Sequence, residues 1–258
     1  MSNQPEVLLS INDVNKSFTN SIPAINVISG LSLQVREGDF ISIVGPSGCG
    51  KSTLLHLIAG FDKDYSGEMT FCGEKIIHPS TRRGILFQSP QLFPWLKVKD
   101  NIAFGLKLQH LPADQIEMET QTYLERVGMT DFQDFYPDQL SGGMQQRIAL
   151  ARALVMKPKL LLMDEPFSSL DYQTRLEMHQ LTLKLWNEYK PSILFVTHDI
   201  EEALLLSDKI FILSERPASL VREIAVPFQR PRELSLIKTL PFNQLKAEIL
   251  DLLFVLKE

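Results

Sequence analysis

The segment Gly45-Pro46-Ser47-Gly48-Cys49-Gly50-Lys51-Ser52, here called the phosphate loop, constrains the fold of this chain more than any other segment. It fits the spacing G-x-x-x-x-G-K-[ST], and it lies between an apolar run, Phe40–Val44, and a helical pattern from Lys51 to about Ala59. Glycines let the backbone curl so that successive N–H groups point into the loop. The positive end of the following helix points to the same place. The segment therefore predicts a cradle for nucleotide phosphates between a buried strand and a helix.

Two side chains of the phosphate loop carry specific chemistry. Lys51 brings a positive charge to the β and γ phosphates, and the Ser52 hydroxyl can ligate Mg²⁺. A chance glycine-rich turn is the alternative, but the flanking strand and helix are the context that the motif requires. The Cys49 thiol either has no role of its own, which we favour, or reacts close to the phosphates. The predicted phosphate-binding residues are Gly45, Pro46, Ser47, Gly48, Cys49, Gly50, Lys51, Ser52 and Thr53.

A pair of acids follows a second apolar run, Leu160–Met163. Because side chains alternate along a strand, Asp164 and Glu165 cannot do the same work. We predict that Asp164 binds Mg²⁺ through water and that Glu165 is the general base for an attacking water. Alone, the pair would more simply mark a strand that ends in solvent. The phosphate loop is what favours the functional interpretation.

Short apolar runs alternate with helical patterns along the rest of the chain. The predicted strands are Val7–Phe18, Leu31–Val35, Phe40–Val44, Glu68–Phe71, Lys75–Ile77, Ile85–Phe87, Leu160–Met163, Ile193–Thr197 and Lys209–Leu213. Helical patterns occupy residues 91 to about 157, including Asp114–Val127 and a helix that begins at Ser141. This alternation predicts an α/β fold with a mostly parallel sheet that helices cover on both faces.

The end of the sequence predicts one more helix after Pro241, for which we favour packing over a regulatory role. Its apolar face consists of Phe242, Leu245, Ile249, Leu252, Leu253 and Leu256. The preceding stretch, Glu215 to Arg232, contains three prolines and is predicted to be the least regular region. Its arginines are expected to form a solvated face; they are Arg216, Arg222, Arg230 and Arg232.

Composition excludes several classes of function. The 258 residues include 26 Lys and Arg and 31 Asp and Glu, so we do not expect a broad basic surface that binds nucleic acid. The two cysteines imply no disulfide framework. Apolar runs reach about five residues, whereas a membrane-spanning helix needs about 20. Residues 1–6 are polar, so we expect no signal peptide. We also expect that the protein does not cross a membrane, although a partner could hold it on one.

A further segment, Leu140-Ser141-Gly142-Gly143-Met144-Gln145-Gln146-Arg147, resembles the signature of ATP-binding cassette (ABC) ATPases. Other elements of that family occur in the expected order. Gln88 resembles the Q-loop glutamine, Ser168-Ser169-Leu170-Asp171 resembles the D-loop, and His198 resembles the switch histidine. Phe18 is similar in position to the aromatic residue that stacks on adenine, a role for which its ring suffices in place of the more usual tyrosine.

The resemblance implies a P-loop NTPase fold with a RecA-like parallel-sheet core, an antiparallel β subdomain and an inserted α-helical subdomain. The expected ATPase domain covers residues 7–238, with its helical subdomain at about 91–157, and residues 239–258 form the C-terminal helix. The resemblance also implies ATP and Mg²⁺ as cofactors. Glu165, His198 and Gln88 would be catalytic, and Ser52, Gln88 and Asp164 would serve the metal.

The signature itself predicts a second anion site. Ser141, Gly142 and Gly143 would present free N–H groups and a hydroxyl at a helix start. In the family, this segment closes over the ATP of a second subunit, which implies a two-fold dimer that encloses two ATPs. An ordinary serine-capped helix start is the alternative.

The sequence after Gln88 narrows the family further. Gln91-Leu92-Phe93-Pro94-Trp95-Leu96 and Asn101-Ile102-Ala103-Phe104-Gly105-Leu106 resemble the nitrate, sulfonate and taurine group of bacterial importers, with Phe93 where leucine is usual. This implies an integral membrane permease as partner, an extracytoplasmic solute-binding protein acting indirectly, and a place on the cytoplasmic face of the inner membrane. Phe93, Trp95 and Leu96 would line a groove for a short helix of the permease, or belong to the subdomain core.

Two other classes of function remain as alternatives. A soluble ABC protein that acts on nucleic acid or ribosomes would be expected to carry long coiled-coil insertions or two cassettes, and this chain shows neither. A small-molecule kinase would have no use for the signature segment. The transported solute cannot be read from this chain.

Overall fold

A computed structural model describes residues 6–19 and 23–255 of the chain. Its strands are β1 (Val7–Phe18), β2 (Ile25–Arg36), β3 (Phe40–Val44), β4 (Ser66–Phe71), β5 (Glu74–Lys75), β6 (Arg83–Leu86), β7 (Leu160–Asp164), β8 (Ser192–Val196), β9 (Lys209–Leu213) and β10 (Leu220–Ala225). Its α-helices are α1 (Lys51–Ala59), α2 (Val98–Leu108), α3 (Ala113–Arg126), α4 (Gly142–Leu154), α5 (Tyr172–Tyr189), α6 (Ile200–Leu206) and α7 (Leu240–Val255).

The described residues divide into two units. Those up to Ser80 and those from Ser192 onward form one, and Thr81–Pro191 form the other. In the described part of the chain, no helix combines the length and apolar character that a membrane span requires.

The first unit is organised around β3, a strand whose five residues are all buried. On one side β3 pairs in parallel with β8, and on the other it pairs in parallel with β9, which in turn pairs antiparallel with β10. Strands β8 and β9 are likewise apolar along nearly their whole length, as expected where helices cover both faces of a parallel sheet. The predicted parallel strands of this unit are confirmed, with β3 and β9 at the predicted residues.

A second sheet of the same unit is antiparallel, with the strand order β2-β1-β4-β5. Strand β1 occupies the predicted residues, and β4 and β5, which overlap the strands predicted at Glu68–Phe71 and Lys75–Ile77, pair as a hairpin around Cys72 and Gly73. Strand β2 begins at Ile25, six residues before the predicted start at Leu31. Ile25 and Asn26 are exposed, so the first part of β2 lacks the buried alternation that reveals a strand.

The second unit joins a parallel pair of strands, β6 and β7, to the helices α2 to α5. Helix α4 carries much of its core, since Ile148, Ala149 and Ala151 are buried. The buried Tyr123 hydroxyl donates to the Leu154 carbonyl at 3.0 Å, which joins α3 to the end of α4. The predicted helical character of this region is confirmed.

The C-terminal part of the first unit departs from two predictions. The stretch predicted to be irregular contains β10, which pairs with β9 from Leu220 to Ala225. The prediction that its arginines form a solvated face is wrong for Arg230 and Arg232, because both guanidinium groups are drawn inward by main-chain carbonyls. Helix α7 follows as predicted, with Phe242 and Ile249 buried; Leu256 lies outside the described residues.

Candidate functional site

The phosphate loop leaves the end of β3 and leads directly into α1. The Lys51 ammonium is turned back into the loop, where it donates to the Gly45 and Pro46 carbonyls at 2.9 Å each. An ammonium has three N–H donors, so these bonds hold the charge in the loop without using all of its donors. Ser52 is exposed at the start of α1, where its hydroxyl is accessible to a ligand.

Gly50 shows why this loop needs glycine. Its φ of +127° is strained for any side chain, and an added Cβ would lie 2.9 Å from Val27 Cγ1 and 3.1 Å from the Val27 carbonyl oxygen. Strand β2 therefore passes too close for a larger residue at this position. The spacing of the motif reflects this tertiary contact as well as the needs of the phosphate.

Cys49 is buried inside the phosphate loop. Burial raises the pKa of its thiol, and the nearby Lys51 only partly opposes that shift. A buried, protonated thiol is a poor nucleophile, which favours the prediction that Cys49 has no chemical role of its own.

His198 belongs to the same unit and lies just beyond β8. Strands β3 and β8 are parallel neighbours, with Ile43 opposite Val196, and the Thr197 N–H donates to the Ile43 carbonyl at 3.2 Å. Because carboxyl ends of parallel strands meet at one edge of a sheet, His198 and the phosphate loop leave the sheet side by side. The His198 side chain is exposed there.

Phe18 is the last residue of β1, and its ring is 42% exposed. The Lys16 ammonium lies 4.9 Å from the centroid of that ring and pairs with Asp62 at 2.8 Å and Asp64 at 3.2 Å. Lys16 itself is buried, so the two acids that follow α1 compensate its charge. The accessible part of the Phe18 ring is suited to stacking on a base.

In the second unit, the ends of β6 and β7 bring Gln88 and the acid pair together. The strands are parallel with Leu86 opposite Met163, so both chains leave at the same edge. Gln88 Nε2 donates to Ser168 Oγ at 3.1 Å, and Ser168 Oγ donates to the Glu165 carbonyl at 2.9 Å. The linking role of Ser168 was not predicted, because the pairing of β6 with β7 that brings Gln88 to it is a property of the fold.

The acid pair itself differs from the expected strand alternation. Asp164 is the last residue of β7, and Glu165 has a φ of +43° and begins a turn. The chain changes direction between the two residues, and this change separates their carboxylates. The alternation of side chains along a strand, from which we predicted the separation, ends at Asp164 and does not include Glu165. Both side chains are partly exposed.

The signature segment forms the start of α4, with Ser141 as its N-cap. Ser141 Oγ accepts a hydrogen bond from the Met144 N–H at 3.3 Å, so the capped-helix interpretation is right for the hydroxyl. A Cβ on Gly143 would lie 2.4 Å from Thr174 Cγ2 of α5, which excludes a side chain there. Ser141 and Gly142 are exposed, which keeps this helix start accessible to an anion.

An aromatic surface follows Gln88 in the second unit. Trp95 is 71% exposed, and the Phe93 ring lies 5.6 Å from the Trp95 ring and 4.5 Å from the Phe104 ring. Asn101 is fully buried beneath it, donating to the carbonyls of Phe93 and Leu96 at 3.1 and 3.0 Å and accepting from the Phe93 N–H at 2.8 Å. Trp95 faces solvent, whereas Phe93 and Leu96 are only partly exposed.

The predicted site residues are divided between the two units. The first holds Phe18, the phosphate loop, Thr53 and His198, and the second holds Gln88, Asp164, Glu165 and the signature residues Ser141, Gly142 and Gly143. Over residues 6–19 and 23–255, no group of three His, Cys, Asp or Glu side chains is arranged to hold a metal.

The chain is similar to known ABC transporter proteins along most of its length. Residues 28–168 match the family model described as ABC transporter. The chain is 40% identical over 243 residues, 94% of each protein, to the aliphatic sulfonates import ATP-binding protein SsuB of Bacillus thuringiensis subsp. konkukian. It is 42% identical over 218 residues, 84% of this chain and 82% of the other, to the nitrate import ATP-binding protein NrtD of a Synechocystis strain.

One solved structure extends the comparison to the fold. An ATP-binding cassette, solved as a dimer in a post-hydrolysis state bound to ADP and Pi, is 30% identical to this chain. The match has a TM-score of 0.76 and covers 86% of this chain and 100% of the other. It confirms the predicted P-loop NTPase fold with its antiparallel sheet and helical part.

Proposed function

The chain belongs to the ABC transporter family, and on that premise we propose that it is the ATP-hydrolysing subunit of an importer for nitrate, sulfonate or taurine-like solutes. The phosphate loop carries this proposal. Lys51 is held by its own loop carbonyls at the start of α1, so its charge lies inside the predicted cradle for phosphates. A preorganised cation at a helix N-terminus is suited to phosphates.

The residues fit Mg²⁺ as it is usually bound with a nucleotide. Ser52 and Asp164 offer hard oxygen ligands, both are at least partly exposed, and Mg²⁺ commonly takes one or two protein ligands and fills the rest with phosphate and water. We propose these two residues, with Gln88, as the protein groups around the metal. When bound there, Mg²⁺ would offset the negative charge of the phosphates.

Each catalytic residue is assigned one task. Glu165 accepts a proton from the attacking water, and His198 contacts the γ-phosphate. Gln88 senses the occupied site through the Ser168 hydroxyl, which joins its amide to the backbone of Glu165. Phe18 stacks on adenine, and the remaining phosphate-loop residues with Thr53 hold the phosphates.

A second copy of the chain completes the proposed site. The start of α4 is exposed at Ser141 and Gly142, and its partner would be the ATP held by the other copy. The similar cassette reported above was solved as a dimer. We propose that two copies close on two Mg-ATP and reopen after hydrolysis, which would drive alternating access in a membrane permease.

The aromatic surface around Trp95 is the proposed contact for the permease. An exposed indole on a rigid, hydrogen-bonded frame is suited to a short helix with apolar anchors. This contact would hold the subunit on the cytoplasmic face of the inner membrane, and an extracytoplasmic solute-binding protein would act only through the permease.

Glu165→Gln tests the proposal, with Glu215→Gln as control because that carboxylate is exposed and outside the site. We expect Glu165→Gln to retain Mg-ATP binding, to hydrolyse ATP at least about 100-fold more slowly, and to dimerise with saturating Mg-ATP in light scattering. Near-normal turnover would refute the assigned base. A strictly monomeric variant, even with the permease supplied, would refute the dimer.

The solute class needs a separate experiment. The subunit would be purified in its native membrane complex, and ATP hydrolysis measured with the solute-binding protein and each candidate: nitrate, an alkanesulfonate and taurine. Stimulation by one of these is the expected result. Stimulation by none of them, in a complex that hydrolyses ATP, would refute the solute class and leave the ATPase assignment intact.

A further inference from the structure

Helix α6 begins immediately after His198, and its first turn fixes the backbone on both sides of that residue. Asp199 is the N-cap and accepts from the Glu201 N–H at 2.8 Å. The Thr197 hydroxyl donates to the buried Glu202 carboxylate at 2.6 Å and accepts from the Asp199 N–H at 2.9 Å. His198 therefore moves with the start of α6.

With seven residues, α6 is too short to be stable alone, so its position depends on what packs against it. Two arginines of a later segment bind the C-terminal end of α6. Arg232 Nη1 donates to the Leu204 carbonyl at 3.1 Å, and Arg230 Nη2 donates to the Leu206 carbonyl at 2.6 Å.

Arg232 makes further hydrogen bonds to main-chain carbonyls. The same Nη1 also donates to the carbonyls of Leu205 and Ser207, while Nε and Nη2 both donate to the Phe228 carbonyl. Its side chain is 1% exposed. Burial, with a contribution from Arg230, lowers the pKa of Arg232 to about 10, which still leaves it charged at neutral pH. A cation at a helix C-terminus is stabilising.

The side of α6 is held by α7. Ile200, Ala203 and Leu204 share one buried cluster with Phe242 and Ile249 of α7. In the first turn, the Glu201 carboxylate pairs with the Lys246 ammonium of α7 at 2.5 Å. Both ends of α6 thus depend on the C-terminal segment, residues 226–255.

We propose that this C-terminal segment positions His198 through α6, with Arg232 and Lys246 as positioning residues, an inference that rests on the proposed role of His198. Arg232 fixes the far end of the helix, and Lys246 fixes the turn that carries the histidine. The segment therefore tunes the rate of hydrolysis without touching the nucleotide.

Lys246→Met tests the proposal in the full chain, because it removes the ammonium and keeps the apolar stem. The matched control is Lys238→Met, an exposed lysine of the same segment. We expect Lys246→Met to lower kcat for ATP hydrolysis about 3- to 10-fold with ATP affinity unchanged, and to shift the His198 ring signal in NMR. Lys238→Met should change neither.

His198→Ala separates the two ways in which the proposal can fail. If Lys246→Met acts through His198, it should not slow the residual single-turnover rate of His198→Ala any further. A wild-type kcat and ring signal in Lys246→Met, or a further loss in the double variant, would overturn the inference alone. A wild-type kcat in His198→Ala would overturn the proposed role of His198 and this inference with it.

Discussion

The phosphate loop and the end of α6 are both held by a buried cation on main-chain carbonyls, but the two cations come from different distances along the chain. Lys51 bonds to carbonyls five and six residues before it. Arg232 makes two bonds to the nearby Phe228 carbonyl, but its bonds to α6 and Ser207 reach carbonyls 25 to 28 residues before it, across an intervening strand pair. The first arrangement is a property of a short segment, and the second is a property of the folded unit.

This difference decides what each region can tolerate. The bonds of Lys51 need only the phosphate loop and the start of α1, so substitutions of Lys51 should act mainly on ligand binding. The distant contacts of Arg232 exist only once α6, β9 and β10 are in place, so its substitutions should act mainly on folding.

Arg232→Met should give the largest change and sharpen this contrast. Loss of the guanidinium leaves buried carbonyls of α6 without donors, which should lower the free energy of unfolding by about 4 kcal/mol. Chemical denaturation of the nucleotide-free chain measures this, with the exposed Arg222→Met expected within about 0.5 kcal/mol of wild type. Equal stability of the two variants would show that Arg232 is not needed for the fold.

Lys51→Ala should have the next largest effect, on binding. Loss of charge-assisted bonds to phosphate should weaken ATP binding about 100-fold, or about 2.7 kcal/mol. Titration with a fluorescent ATP analogue measures this, and the exposed Lys75→Ala is the control. Unchanged ATP affinity in Lys51→Ala would break the contrast, because the loop would then act through its backbone alone.

Gly50→Ala tests how local the phosphate loop is. The φ of +127° and the approach to Val27 should together cost about 2 kcal/mol of unfolding free energy. Gly38→Ala is the matched control, since its φ is +81° but an added Cβ would meet nothing within 4 Å. We expect about 1 kcal/mol there, from backbone strain alone. A smaller loss at Gly50 than at Gly38 would contradict the role assigned to Val27.

The pair between Lys16 and Asp62 should give the smallest effect on stability, and that effect should depend on pH. Burial opposes ionisation of Asp62, but the Lys16 hydrogen bond and charge outweigh it and hold the pKa of Asp62 below its usual value. The pair therefore adds stability above the unfolded pKa of about 3.9, and this is lost as pH falls through the lower folded pKa.

Asp62→Asn should remove that dependence and reduce stability at pH 7 by about 1 kcal/mol. Thermal unfolding between pH 3 and 7 measures it, and Asp64→Asn is the control, because Asp64 is far more exposed. Parallel pH curves for wild type and Asp62→Asn would show that the pair contributes nothing.

The same contrast explains how much could be predicted from sequence. The ends of α1 were predicted at Lys51 and Ala59 because glycine, lysine and an apolar face lie within one short window. The Gln88 to Ser168 bond could not be predicted in this way, because it joins residues 80 positions apart through the parallel pairing of β6 and β7. Arg230 and Arg232 were wrongly assigned to solvent because charge normally marks a surface, and only the fold supplies the carbonyls that bury them.

Asn101 separates the frame of the aromatic surface from the residue displayed on it. One buried amide fixes the turn from Phe93 to Leu96, while the Trp95 indole takes no part in that hydrogen bonding. A replacement of Trp95 would therefore act on the proposed permease contact and leave the hydrogen bonds of Asn101 in place. With this arrangement, substitution of one exposed side chain would adapt the same ATPase subunit to permeases with different docking segments.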